Sequence, residues 1–370
     1  MAYNRKQRLN DNIKAIETAF ILDREQRTPT ARERLLLERY CGFGGLKCIL
    51  NPARELADAV HWAKSDLELF APTVELHRLI RENSKNESEY KQLMDSLKQS
   101  VLTAFYTPSA VTEALTDVLK EHQIIPEKVL EPSAGIGAFV DSVLDNNPKT
   151  DIMAFEKDLL TGKILRHLHP EQKVRIEGFE KIEKPFNDYF DLAISNIPFG
   201  DVAVFDPSYT AMKGMRALVT RRIHNYFFVK ALDTVRDGGL VAFITSQGVL
   251  NAKNNSAARF MMLYHADLVS AIRLPNNLFT ENANTEVGSD LIILQKNSQK
   301  ESLRGDDNLL DTVYNDENRI PTNNYFLEHP ERIIHTTAKL DTDPFGKPAM
   351  IYTHEDGVEG IAEDLRKMLH

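Results

Sequence analysis

The segment Ser195-Asn196-Ile197-Pro198-Phe199-Gly200 follows the apolar run Phe190-Asp191-Leu192-Ala193-Ile194. A β-rich apolar run that stops at Asn and meets Pro two residues later reads as a buried strand ending in a turn. Its tip carries an amide, a proline and an aromatic ring, and the carboxyl edge of an open α/β sheet is where ligands bind. That set of groups suits methylation of an exocyclic amine. An aromatic NH2 is a poor nucleophile because its lone pair is delocalised into the ring. The Asn196 side-chain oxygen and a nearby backbone carbonyl, such as that of Ile197, can accept its two N–H bonds and draw the nitrogen toward sp3. Phe199 would stack on the base, and Pro198 would stiffen the turn. Taken alone, the same residues are also a plain strand end, so their company along the chain decides.

A place for the methyl donor lies upstream. Val129-Leu130-Glu131-Pro132-Ser133-Ala134-Gly135-Ile136-Gly137-Ala138-Phe139-Val140 reads as an apolar strand passing through a Gly-rich turn into a helix. Gly135 and Gly137 allow a ligand to lie against the backbone, and Glu131 at the strand end can neutralise a cationic amino-acid portion. Pyrophosphate is the competing ligand for such a turn. There is no Lys-Ser/Thr pair, however, and an acid at the strand tip would repel phosphate. S-adenosylmethionine, with its ammonium and sulfonium, fits better. Ile152-Met153-Ala154-Phe155-Glu156 is a second strand ending in an acid, here suited to two ribose hydroxyls. Residues 174–180 make a third, whose Phe179 is expected to cover the adenine of the cofactor. Ahead of all three, Phe105-Tyr106-Thr107-Pro108 leads into a helix over 109–121, with Thr107 placed to cap it and Pro108 near its first turn.

The elements that must hold these tips follow from periodicity. Apolar residues at three- and four-residue spacing predict helices over 10–20, 30–40, 52–70 and 88–102. Between the second and third lies Cys41-Gly42-Phe43-Gly44-Gly45-Leu46, either a helix connection packing Phe43 and Leu46 or a lid over a ligand. Residues 223–232 predict a helix under the sheet, and 238–246, 268–274 and 290–296 three further strands. Pro275-Asn276-Asn277-Leu278-Phe279 lies between the last two; Phe279 reads as core, with a second wall for an extruded base as the alternative. A helical domain over 1–100, a methyltransferase domain over 101–300 and an acidic extension over 301–370 are the expected divisions.

Bulk properties set bounds on this reading. With 370 residues, 42% hydrophobic and 27% charged, the composition is that of a soluble globular protein. No apolar run approaches the roughly 20 residues of a membrane span, and the start lacks a signal-type apolar core, so the cytoplasm is expected. Cys41 and Cys48 are the two cysteines, and zinc-like Cys/His spacing is missing, so no metal is expected. A net charge of −9 argues against coating nucleic acid through the whole surface. Local basic runs remain: residues 1–54 hold eleven Lys and Arg against six acids, and Lys213, Arg216, Arg221 and Arg222 have no acid between them. Each is a solvated face or a phosphate contact.

The motif Asn196-Ile197-Pro198-Phe199 matches the (Asn/Asp/Ser)-Pro-Pro-(Tyr/Phe) signature of amino-methyltransferases, with Ile in place of the first Pro. Together with Tyr106-Thr107-Pro108 and Glu131-Pro132-Ser133-Ala134-Gly135-x-Gly137, it resembles DNA adenine-N6 methyltransferases of the gamma type. The resemblance implies an α/β fold, a Rossmann-like seven-stranded class I methyltransferase sheet, S-adenosylmethionine as cofactor, DNA as partner and no metal in the transfer. One departure is Gly178 where that family carries Asp before the Phe, so Glu180, backbone or water must hold the cofactor's adenine amine. More narrowly, residues 42–46, 196–201, 223–228, 271–277, 285–290 and 325–332 resemble the methylase portion of methylase-helicase proteins of phages and conjugative elements. Members usually continue into an SNF2-like helicase, and no helicase phosphate loop occurs here.

Two other readings share the motifs. Such tips also serve methyltransferases of RNA adenine or protein glutamine; Tyr106-Thr107-Pro108 and the 213–222 run favour nucleic acid. A degenerate methyltransferase fold could instead bind DNA and shield it from restriction, a reading kept open by Ile197 and Gly178.

Overall fold

The computed structural model describes residues 4–212, 214–280, 286–303, 305–314, 319–343 and 346–370. Its centre is a seven-stranded sheet of β1 (Lys128–Glu131), β2 (Asp151–Phe155), β3 (Lys173–Arg175), β4 (Phe190–Asn196), β5 (Val235–Ser246), β6 (Ala266–Leu274) and β7 (Ser289–Lys296). The order is β3-β2-β1-β4-β5-β7-β6, parallel throughout except that β7 runs antiparallel to both its neighbours. This is the Rossmann-like class I methyltransferase sheet that the resemblance implies. Leu192-Ala193-Ile194 and Leu291-Ile292-Ile293-Leu294 are buried without alternation because both sheet faces are covered. The chain steps outward from β1 to β3 and then returns to lay β4 beside β1. That reversal opens a crevice at the carboxyl ends of β1 and β4.

The helices that matter to the crevice are α1 (Arg5–Glu25), α2 (Ala31–Leu37), α3 (Phe70–Glu82), α4 (Glu87–Thr103), α5 (Ser109–Glu121), α6 (Ala138–Asn146) and α7 (Leu159–Leu168). One sheet face packs on the Ile223–Thr234 helix through Tyr226, Phe228 and Phe243. The other packs on α5, α6 and the Gly357–Leu369 helix, whose Arg366 meets Asp117 of α5 at 2.9 Å. The amino-terminal helices close a third apolar cluster on Leu160, Ile164 and Leu168 of α7. They are therefore built onto the sheet's own helix layer.

Three local expectations are corrected. The helix expected over 52–70 is instead two 3-10 turns, Leu56–His61 and Lys64–Leu69, and the α-helix begins only at Phe70. The apolar spacing misled because Leu56 and Val60 face solvent, while Trp62 is anchored through its indole N–H to the Pro52 carbonyl at 2.8 Å. The third strand stops at Arg175, and Phe179 lies in a 3-10 turn. Pro108, not Thr107, stands at the start of α5, with no side-chain cap. By contrast Thr30 does cap α2, reciprocally with Glu33. No helix of the described residues is long and apolar enough to cross a membrane.

Candidate active site

The turn after β1 is shaped by two glycines. Gly135 and Gly137 hold φ of +56° and +96°, a region glycine enters at little cost. A Cβ on Gly135 would stand 2.8 Å from the Tyr106 ring, and one on Gly137 2.5 Å from His169 Nε2. The Ala134 N–H donates to the Phe155 carbonyl and the Gly135 N–H to Glu156 Oε2, both at 2.8 Å. The tips of β1 and β2 are thus sewn together, with Pro132 and Ala134 buried and Ser133 half-buried.

Two carboxyls sit on this edge. Glu131 is 1% exposed and accepts from the Ser133 N–H at 3.1 Å. Glu156 also accepts from the Asp158 N–H at 2.7 Å, and each of its oxygens keeps a second lone pair. Burial pushes both acids up to about 8, and neighbouring carboxylates add to the effect, Glu156 on Glu131 and Asp158 on Glu156. Among the described residues no Lys, Arg or His forms an ion pair with either acid. Thr107, the residue after Tyr106, is buried with its hydroxyl unpartnered, and only water or a ligand is left to satisfy it. Two carboxyls awaiting a cation, a glycine cradle and an orphaned hydroxyl fit a ligand such as S-adenosylmethionine and not a polyphosphate.

Asn196 ends β4 on the same edge, since Leu130 pairs with Ala193 and Glu131 with Ala154. Its Nδ2 donates to the Phe105 carbonyl at 3.0 Å, which leaves Oδ1 as the amide's acceptor. Phe105 precedes Tyr106, whose ring lies against Gly135. One dipeptide therefore touches both the Gly turn and the amide at the tip. Ile197 is buried, and its N–H donates to the Ile244 carbonyl at 3.0 Å, a bond that the Pro usual at this position could not make. The ring that would fix the turn is replaced by a hydrogen bond. Pro198 and Phe199 are half-buried, and Phe199 leans edge-to-face on Phe279, centroids 6.2 Å apart.

A layer from the amino-terminal helices stands behind the turn, and sequence reasoning missed it. The Tyr40 and Tyr106 hydroxyls both meet Thr161 Oγ1 at 3.2 Å. Asp158 caps α7 by accepting from Leu160 and Thr161 N–H and is bonded by the Ser96 hydroxyl. Phe43 and Leu46 are buried, so the glycine-rich 42–46 segment packs as a connection; Gly42 is needed where a Cβ would stand 2.5 Å from that of Ala104. Only the adjacency of Phe105 to Tyr106 could have marked it in the sequence. Tyr40, Ser96 and Thr161 carry no local signal.

Several expected site residues point elsewhere. Phe179 is in the core against Phe155 and Phe227, because its 3-10 turn directs the ring inward; the Glu180 carboxylate folds over Gly178 in its place. Phe139 is buried on the inner side of α6. Phe279 is fully buried and props Phe199 from behind, so it is no wall for a base. The basic run is dispersed: Arg216 pairs with Asp233 at 2.6 Å, Arg222 with Asp201 at 2.8 Å, and Arg221 is exposed. Lys213 and Thr285 lie outside the described residues. Among the described residues no group of three His, Cys, Asp or Glu is placed to hold a metal ion.

The family model described as N-6 DNA Methylase matches residues 88–352. The Defense against restriction protein B of Escherichia phage P1 is 29% identical over 201 residues, covering 53% of this chain and 8% of that protein. Type II methyltransferase M.XamI of Xanthomonas campestris pv. amaranthicola is 24% identical over 173 residues, 43% of this chain and 33% of that one. The matched part is thus a third or less of either curated relative. A crystal structure from Listeria monocytogenes, described as a class I S-adenosylmethionine-dependent methyltransferase, overlays with a TM-score of 0.46 at 15% identity, covering 80% of this chain and 90% of that one.

Proposed function

The chain belongs to the N-6 DNA methylase family, and on that premise we propose that it transfers a methyl group from S-adenosylmethionine to the N6 of an adenine extruded from DNA. The observation that carries this reading is the orientation of Asn196. Its Nδ2 is committed to the Phe105 carbonyl, so Oδ1 is the atom of this amide left to accept an incoming N–H, at the end of the strand beside the one that ends in Glu131.

S-adenosylmethionine supplies, when bound, an electrophilic methyl on a sulfonium centre. The chain's own residues do the rest. The Glu156 oxygens accept ribose hydroxyls, Glu131 faces the cationic amino-acid portion, and Thr107 donates its unpartnered hydroxyl. Asn196 Oδ1 takes an N6–H and increases the density on that nitrogen. Phe199, propped by Phe279, offers its face to the adenine. Taking a base out of a duplex costs a few kcal/mol, and stacking on one aromatic ring is worth about 1–3 kcal/mol, so Phe199 offsets much of it. The cytoplasm suits this activity. A fused or associated SNF2-like helicase among the partners rests on the resemblance of the sequence motifs alone.

Radiolabelled cofactor offered separately to DNA, RNA and extract protein tests the proposal. Label in DNA adenine, lost in Asn196→Ala with cofactor binding retained, is the expected result. Label confined to RNA or to protein glutamine would sink it. The name of the phage relative favours one second reading, a DNA-binding antirestriction module without transfer. Calorimetry with S-adenosylmethionine bears on the choice, because a non-catalytic scaffold can show no heat of binding and a methyltransferase must show it.

A further inference from the structure

The carboxyl of Glu156 is gripped by two backbone donors, one on each oxygen. The Gly135 N–H reaches Oε2 at 2.8 Å and the Asp158 N–H reaches Oε1 at 2.7 Å. Together they fix the plane of the carboxyl. A pair of vicinal hydroxyls can be met in that plane, through the lone pairs left over, only while both donors keep their places.

Both donors are steadied from the amino-terminal side of the chain. Asp158 stands at the start of α7, and its side chain accepts from the Leu160 and Thr161 N–H at 2.9 and 3.2 Å. For a helix cap alone that is sufficient. Ser96 of α4, buried and 62 residues away, nevertheless enters the cap. Its hydroxyl donates to the Asp158 carboxylate and accepts from the Leu160 N–H at 3.0 Å. In the same turn of α7, Thr161 Oγ1 meets the hydroxyls of Tyr40 and Tyr106 at 3.2 Å each. The Tyr106 ring in turn is what a side chain on Gly135 would strike. The two peptide groups that grip Glu156 therefore both rest on residues 40–106. A cap that served only α7 would need no partner from another helix. One that must hold the Asp158 N–H in place does, because a displacement of about 1 Å is enough to spoil a ligand contact.

We infer that Ser96 is a positioning residue of the cofactor site: acting through the α7 cap and Asp158, it sets the Glu156 carboxyl for the ribose, which makes the amino-terminal helices part of that site. This rests on the proposed binding of S-adenosylmethionine. The test is equilibrium dialysis of the full chain against S-adenosylmethionine and against its 2′-deoxyribose analogue. The ratio of the two affinities reads the ribose contact, whereas a loosened fold weakens both ligands alike. The unsubstituted protein should prefer the ribose form by about tenfold or more, the worth of a hydrogen bond to a charged group. In Ser96→Ala the preference should fall at least fivefold, and Ser96→Thr, which keeps the hydroxyl, should restore it. Against a Glu156→Gln background Ser96→Ala should lower it no further. Tyr40→Phe removes only a hydroxyl from the same turn and carries the same test if Ser96→Ala does not fold. A preference that Ser96→Ala leaves intact while both affinities fall together overturns the inference and leaves the proposed function standing. So does a full second loss in the Glu156→Gln background. An unsubstituted protein that binds both forms equally overturns it too, and one that binds neither fails the proposed function as well.

Discussion

Asn196 Nδ2 and the Phe105 carbonyl oxygen lie 3.0 Å apart across 91 residues of sequence, and this one bond sets which way the amide faces. In Asn196→Asp the donor is gone and a carboxylate oxygen meets a carbonyl. Losing a part-buried hydrogen bond of this kind costs about 1–3 kcal/mol, so methyl transfer should fall by about ten- to a hundredfold. Cofactor affinity should stay within twofold. Single-turnover transfer beside equilibrium binding checks the split, and equal loss in both would refute it.

Glu131 and Glu156 give a signed pH dependence. Each holds its proton in the folded protein to about 8, against 4.5 for an ordinary glutamate. Between those values the folded state binds more protons than the unfolded one, so stability of the free protein should fall as pH rises from about 5 to about 8. A cationic ligand favours the ionised acids. Binding of S-adenosylmethionine at pH 7 should therefore release protons and tighten as pH rises toward 8. Calorimetry in two buffers of different ionisation heat checks this; identical enthalpies in both would count against Glu131 as the cofactor's counter-charge.

Gly135→Ala should uncouple cofactor binding from folding. A Cβ there meets the Tyr106 ring at 2.8 Å in a left-handed backbone, a strain of about 1–2 kcal/mol. The ring must move away from the turn. Cofactor affinity should drop at least tenfold while the melting temperature shifts by only a few degrees, as read by equilibrium dialysis and calorimetric melting.

Ile197→Pro restores the proline of the amino-methyltransferase signature and removes the N–H donated to Ile244. It also empties part of a buried site. A loss of about 2 kcal/mol in stability is expected from the bond and the missing methyl groups together. The apparent KM for cofactor should not change. A denaturation series with steady-state kinetics tests both halves, and a more stable variant would show that the hydrogen bond contributes little.

Much of this protein is legible one element at a time. The strands that lead to Glu131, Glu156 and Asn196 announce themselves because an apolar run and a terminal polar residue are neighbours in sequence, with a Pro breaker just beyond Glu131 and Asn196. The Ser109–Glu121 helix follows from an equally local rule. The 52–70 segment misleads for the converse reason. Its spacing is helical, but Trp62 is tied to Pro52 and Leu56 is left in solvent, so packing set its winding.

The sequence by itself determined which chemistry the tips could perform, because Asn196, the 135–137 glycines and the paired acids act within a few residues of where they are read. Only the tertiary structure decided which way the aromatic rings and the arginines face. Phe179 and Phe279 turn inward, Arg216 and Arg222 turn to Asp233 and Asp201, and Phe105 reaches back to orient Asn196. At irregular turns no helical or strand period fixes a side chain's direction. The partners that do so lie tens of residues away, and only the closed sheet brings them within bonding distance.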